Sequence, residues 1–249
     1  MDLAAKLSLA WQLAERGRYQ QALDLYDEAR SRGVELTPQE LGNRGTLLLC
    51  LKKYEEALTQ FRAATELEDK SDMKGEGSYL AGLGAAQWLM GRHREAVTAW
   101  RYRVSGVLRG EVQYADMAGG ASDGLLLWYA AVTLNDHDLL SYTTEYFQKL
   151  SIFGRLSFWP GPLVELALGE RSVEAVFEPR FNNVWLRWLL GMNPPSRRDF
   201  VNALFYYAVK LRADGQEPGC REMMARVVKM KVQLGEVHWH LARGELSST

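Results

Sequence analysis

The segment ERGRYQQALDLYDEAR, Glu15 to Arg30, opens on a glycine turn and then places Tyr19, Ala22, Tyr26 and Ala29 at spacings of three and four residues. That spacing puts the four side chains on one face of a helix, and the small Ala22 leaves room for a second helix to come close. The pattern returns in CLKKYEEALTQFRAAT (Cys50 to Thr65), as Lys52, Tyr54, Ala57, Phe61 and Ala64. It returns again in LMGRHREAVTAWRYRV (Leu89 to Val104), as Gly91, His93, Ala96, Trp100 and Arg103. Ala22 and Ala57 are 35 residues apart and Ala57 and Ala96 are 39 apart. The repeating unit therefore has about 34 residues with short additions.

A second apolar pattern precedes each segment. Leu9 and Leu13, then Leu41, Gly45 and Leu48, then Leu80, Gly84 and Trp88 recur at helical spacing, so each unit reads as helix, turn, helix. Gly45, Gly84, Ala57 and Ala96 are expected where the paired helices approach most closely, because a larger side chain there would force the axes apart. Gly17 and Gly91 are expected to end the first helix of their units by taking the left-handed conformation that a Cβ penalises.

At these residues the chain resembles the tetratricopeptide repeat family, whose pattern is a large apolar residue, Leu-Gly, an aromatic, then Gly-x-Tyr-x-x-Ala, an aromatic and Ala. The resemblance implies an all-α, right-handed helical-repeat solenoid of about five to six units with a C-terminal capping helix, read as a single domain over residues 1–249. Residues 3–110 hold three clear repeats. Residues 111–195 read as degenerate helix pairs: Gly124 to Leu150 has Leu140 in the small-residue site, and the second helix of Phe158 to Arg180 is cut short at Pro179. Residues 196–249 hold a last repeat, with Gly215 at its turn and Cys220 in the small site, and the closing helix VHWHLARGELSST.

Composition excludes several classes. The 249 residues include 30 Lys+Arg against 31 Asp+Glu, 47% hydrophobic residues and 2 Cys, which fits neither a disulfide-stapled domain, nor a disordered chain, nor a phosphate-tracking basic surface. The longest uncharged apolar runs, Thr46 to Leu51 and Gly124 to Leu134, are far short of the roughly 20 residues that span a bilayer. The amphipathic start MDLAAKLSLAWQLAERGRYQ does not read as a signal peptide, so a cytoplasmic location is expected, with Cys50 and Cys220 reduced.

The resemblance further implies a concave groove lined by the first helix of each pair, holding an extended peptide or helix of another protein. Register places Leu7, Trp11, Asn43, Thr46, Trp88 and Tyr129 towards it, beside Cys50 and Ala85. The aromatic members are the expected anchors and Asn43 the expected hydrogen-bond donor to a ligand backbone. A subgroup of the family clamps a chaperone's terminal carboxylate with two Lys, two Asn and an Arg. Only Asn43 matches such a position here, with Leu7, Trp11, Ser78 and Gly82 at the others, so that clamp is not expected.

Signals for chemistry are weaker. GASDG (Gly120 to Gly124) matches the Gly-x-Ser-x-Gly pattern of a hydrolase nucleophile, but no buried strand precedes it, and Ser122 or Asp123 reads as the cap of the next helix. His238 and His240 with Glu236 could share a face only in an extended segment, and on a helix they diverge, so no metal or other cofactor is expected. Arg92, Arg94, Arg101, Arg103 and Arg109 read as a solvated outer face balanced by Glu95 and Glu111, and no nucleic-acid partner is expected. The reading is therefore a non-enzymatic protein-interaction adaptor. The alternatives are a dedicated inhibitor, such as the immunity protein of a bacterial toxin, and a serine hydrolase built on Ser122. The oligomeric state is left open.

Overall fold

The computed structural model describes residues 3–69, 79–109, 118–152, 154–176, 196–230 and 236–247. The end of the first three-repeat block at Gly110, the clamp position Ser78, Glu111 and the helix stop at Pro179 lie outside them. Among the described residues every regular element is helical, and consecutive helices pack side by side as in a helical repeat. The chain falls into two compact units, Met1–Ala99 with Gln233–Leu241, and Trp100–Val232 with Ala242–Thr249.

The first unit contains α1 (Leu3–Glu15), α2 (Tyr19–Ser31), α3 (Pro38–Cys50), α4 (Tyr54–Asp69), α5 (Tyr79–Leu89) and the beginning of α6 (His93–Leu108). Each pair turns by the same device. Gly17 takes φ +76°, its N–H donates to the Ala14 carbonyl at 2.9 Å, and the Arg18 N–H donates to the Leu13 carbonyl at 2.9 Å. Two helix-end carbonyls that have no partner within the helix are thereby satisfied. Gly91 repeats the turn at φ +76°, and Lys52 does so at φ +60° although it carries a side chain. Entry into α3 is set by a capping box: Thr37 accepts from the Glu40 N–H and Glu40 accepts in return from the Thr37 N–H, with Pro38 in the first turn.

Packing in this unit runs on both sides of α3. Leu47 joins Ala10, Ala14, Ala22 and Tyr26 in one buried cluster, while Leu48 and Leu49 join Leu23, Ala57, Phe61, Leu83 and Ala86 in the other. The ring of Phe61 is the wedge. A Cβ placed on Gly45 would lie 2.9 Å from Phe61 Cε1, and one placed on Gly82 would lie 2.6 Å from the same atom. Both distances are below any sustainable carbon contact, so α3 and α5 each present a glycine to one ring edge. The close approach expected at Gly45 is present, and on α5 the glycine that meets Phe61 is Gly82.

In the second unit α7 (Ala121–Leu134) and α8 (His137–Ile152) form one pair. A 3-10 turn at Arg155–Ser157, α9 (Gly161–Ala167) and α10 (Val173–Val176) follow, then the pair α11 (Arg197–Ala213) and α12 (Glu217–Lys229). The turn of the first unit recurs at Asn135, φ +52°, and at Gly215, φ +75°. Cys220 occupies the small-residue site of the last pair and is 0% exposed. The core here is aromatic: the Tyr129 and Phe205 ring centroids are 5.1 Å apart, Phe205 and Tyr206 meet edge-on at 5.2 Å, and Trp100 lies 6.5 Å from Tyr129. The closing helix, α13, forms over Val237–Ser247.

Candidate functional site

Along α3, Asn43, Thr46 and Cys50, at i, i+3 and i+7, belong to neither buried cluster and are half-buried. They form a stripe on the third face of the helix. On α1, Trp11 holds the position equivalent to Thr46 and Leu7 lies one turn before it; both are also half-buried. These five residues form the face that register assigns to the expected groove, the expected inner face of the first unit.

Each side chain already has a local role. Leu7 packs against the buried cluster of Ala10, Ala14 and Tyr26. The Trp11 indole N–H donates to Glu15 Oε1 at 3.1 Å on the surface. The Thr46 hydroxyl donates to the Gly42 carbonyl at 3.1 Å. Asn43 hydrogen-bonds the hydroxyl of Tyr26, whose pKa is raised because burial disfavours the phenolate, with the Asn43 contact working against that rise.

The other two expected anchors lie elsewhere. Trp88 is 7% exposed and its ring lies 4.3 Å from that of His93. Tyr129 is 0% exposed, and its hydroxyl donates to Glu245 Oε1 at 2.6 Å within the second unit. Both rings are therefore buried in this structure, unlike the half-buried Trp11, and neither is among the groove residues proposed below.

The C-terminal segment adds to the inner face a group that local sequence does not announce. His240 Nε2 lies 3.9 Å from Cys50 Sγ, and His240 and Leu241 are 2% and 0% exposed. Glu236 is 4% exposed, and His238 Nδ1 is 3.7 Å from Glu236 Oε2. The start of α13 thus belongs to the first unit, against the end of α3. No group of three His, Cys, Asp or Glu poised to hold a metal occurs among the described residues.

In the second unit, Asp123 does not cap α7. Gly120, at φ +83°, stands at the cap position, and Asp123 pairs instead with Arg103 at 3.4 Å, both side chains being 11% exposed. Arg103 is therefore buried, unlike the solvated outer arginine expected of it, and Arg92 pairs with Glu55 of the neighbouring pair. Ser122 is exposed on the first turn of α7. Arg212 forms a junction that sequence reading did not single out. It donates to Glu217 at 2.9 and 3.0 Å, to Glu245 at 2.9 Å and to the Thr133 hydroxyl at 3.1 Å. Burial alone would lower the guanidinium pKa, and the two carboxylates outweigh burial and raise it. One open cleft of about 500 Å³ lies beside Lys53, Glu56 and Arg92, and another of about 530 Å³ lies along α8.

The segment around Trp11, Gly17, Tyr19, Ala22 and Tyr26 decides what kind of helix pair this is. A tetratricopeptide repeat model matches residues 8–27. No curated protein matches the chain. The tetratricopeptide repeat match covers the second half of α1, its glycine turn and the first half of α2, including the inner-face residue Trp11. Proteins with this repeat act generally as protein-interaction modules, and no helix among the described residues is long and apolar enough to cross a membrane.

Proposed function

We propose that the chain is a non-enzymatic adaptor that holds an extended peptide or short helix of another protein against the inner face of its first unit. Leu7 and Trp11 of α1 supply apolar contact, and Asn43 and Thr46 of α3 supply polar and methyl contact. The observation that carries this reading is the stripe itself: half-buried side chains at helical spacing on two successive first helices, the first of which contributes Trp11 to the tetratricopeptide repeat match. A large indole tethered only to Glu15 can turn to cover a ligand at small entropic cost. The free thiols Cys50 and Cys220 fit a reducing compartment such as the cytoplasm.

The test is a pair of substitutions in the full chain, Trp11→Ala and Thr46→Arg, checked for helicity by circular dichroism and used as bait in lysate of the source cell. Loss of the proteins captured by the wild type is the expected result. A folded double variant that captures the same set in the same amounts rules out the inner face as the docking surface.

A further inference from the structure

The inner face is not wholly open in this structure. Its stripe on α3 ends at Cys50, and the imidazole of His240 stands over that thiol at 3.9 Å. The thiol and imidazole are 190 positions apart in sequence, so the contact is a deliberate return of the chain to its first unit. The same register position is half-buried as Trp11 on α1 and as Thr46 on α3, and fully buried as Ala85 on α5. The segment that returns is a short helix start carrying His238, Trp239, His240 and Leu241. It combines large rings with an aliphatic anchor, and Leu241 is completely buried.

We infer that Glu236–Leu241 is an intramolecular ligand of the inner face, and that a partner helix of similar aromatic and aliphatic character competes with it for the end of α3. This rests on the adaptor reading given above. A tethered helix is present at high effective concentration, so it lowers the apparent affinity of every competitor until it is displaced. The self-contact then sets a threshold that selects against weak ligands.

Cys50 reports on the cover directly, and Cys220 is an internal control. Cys220 is fully buried, and burial pushes its thiol up to about 11, so it stays protonated and unreactive near neutral pH. In the full chain, the double substitution His240→Asp, Leu241→Asp places two charges where an imidazole and a leucine are buried, and it is expected to release the segment. Alkylation of Cys50 should then accelerate on the order of ten-fold over wild type while Cys220 stays unlabelled. A fluorescent synthetic peptide of residues 236–241 should bind this variant at least ten-fold more tightly than wild type, on the order set by loss of the tethered competitor, and should restore the protection of Cys50. Should the double variant lose helicity, the single substitution His240→Ala with the same peptide gives the second reading: peptide binding above wild type is expected.

An alkylation rate in the folded double variant equal to that of wild type overturns the inference, as does equal peptide binding by the two. The adaptor reading fails separately. If the peptide binds the released variant but Trp11→Ala, Thr46→Arg leaves partner capture unchanged, the self-contact stands and the groove assignment falls. If capture is lost on those substitutions while Cys50 is equally reactive with and without the release mutations, the groove stands and the self-contact falls.

Discussion

The ring edge of Phe61 enters a notch made by Gly45 and Gly82, and this geometry predicts a specific failure of additivity. A methyl group on Gly82 would lie 2.6 Å from Phe61 Cε1 and Cζ, about 1 Å inside normal contact. Phe61 is 3% exposed, so its ring must withdraw from the notch. Overpacking of this size costs about 1–3 kcal/mol, and the helical preference of Ala over Gly returns about 1 kcal/mol. Gly82→Ala should therefore destabilise by up to about 2 kcal/mol, and Gly45→Ala, with its 2.9 Å approach to the same ring, by less.

Once the ring has left the notch for one methyl, the second meets little resistance. The double variant should be no less stable than Gly82→Ala alone, a coupling of about 1 kcal/mol. In a Phe61→Leu background the notch is vacated, and each glycine substitution should become stabilising by about 0.5–1 kcal/mol. Urea unfolding followed at 222 nm reads these differences, since about 2 kcal/mol moves the midpoint by just under ~1 M. Additive destabilisation, or an equal cost in the Phe61→Leu background, would refute the idea that one ring carries the contact between α3 and α5.

Other outcomes follow from the turns and the buried charges. Lys52 holds φ +60° where the neighbouring repeats have glycine, so Lys52→Gly should raise stability by about 0.5–1 kcal/mol in a thermal melt. Arg212→Met strands the Glu245 carboxylate, 15% exposed, beside Tyr129 and should cost about 2–4 kcal/mol in the same urea assay. The hydrogen bonds from Arg212 hold the Glu217 carboxyl below its ordinary value. Its contribution to stability is complete above the unfolded value of about 4.3 and is lost as pH falls through the lower folded value, so Arg212→Met should flatten the acid side of the stability profile. Cys220 should resist a thiol reagent at pH 8 in the folded protein and react once urea unfolds it.

The parts of this fold visible in the sequence are those fixed within one helix pair. Gly17 and Gly91 terminate helices by a local backbone requirement, and Ala22, Ala57 and Cys220 are small because a partner helix lies within a few residues of chain. Periodicity also puts Asn43 and Thr46 on one half-buried face of α3, since that needs only the rotation of the helix. It does not reveal what lies over a face. Trp88 and Tyr129 are placed towards the groove by the same kind of register reasoning, yet their surroundings are not set by register alone, as Glu245 against Tyr129 shows. Asp123 has the chemistry of a helix cap and was read as one, but Arg103, from the preceding helix, claims it. No local signal could place His240 beside Cys50, because nothing within either segment refers to the other.

That last separation has a consequence during synthesis. Ribosomes add roughly 5–20 residues per second, so about 10–40 s pass between the emergence of Cys50 and that of His240, which is 190 positions later. Paired helices closed by local turns form far faster than this. The first unit of the nascent protein therefore lacks the His240 segment at the end of α3 for many seconds, and under the adaptor proposal a partner present at the ribosome would meet that surface before the competing segment has been made.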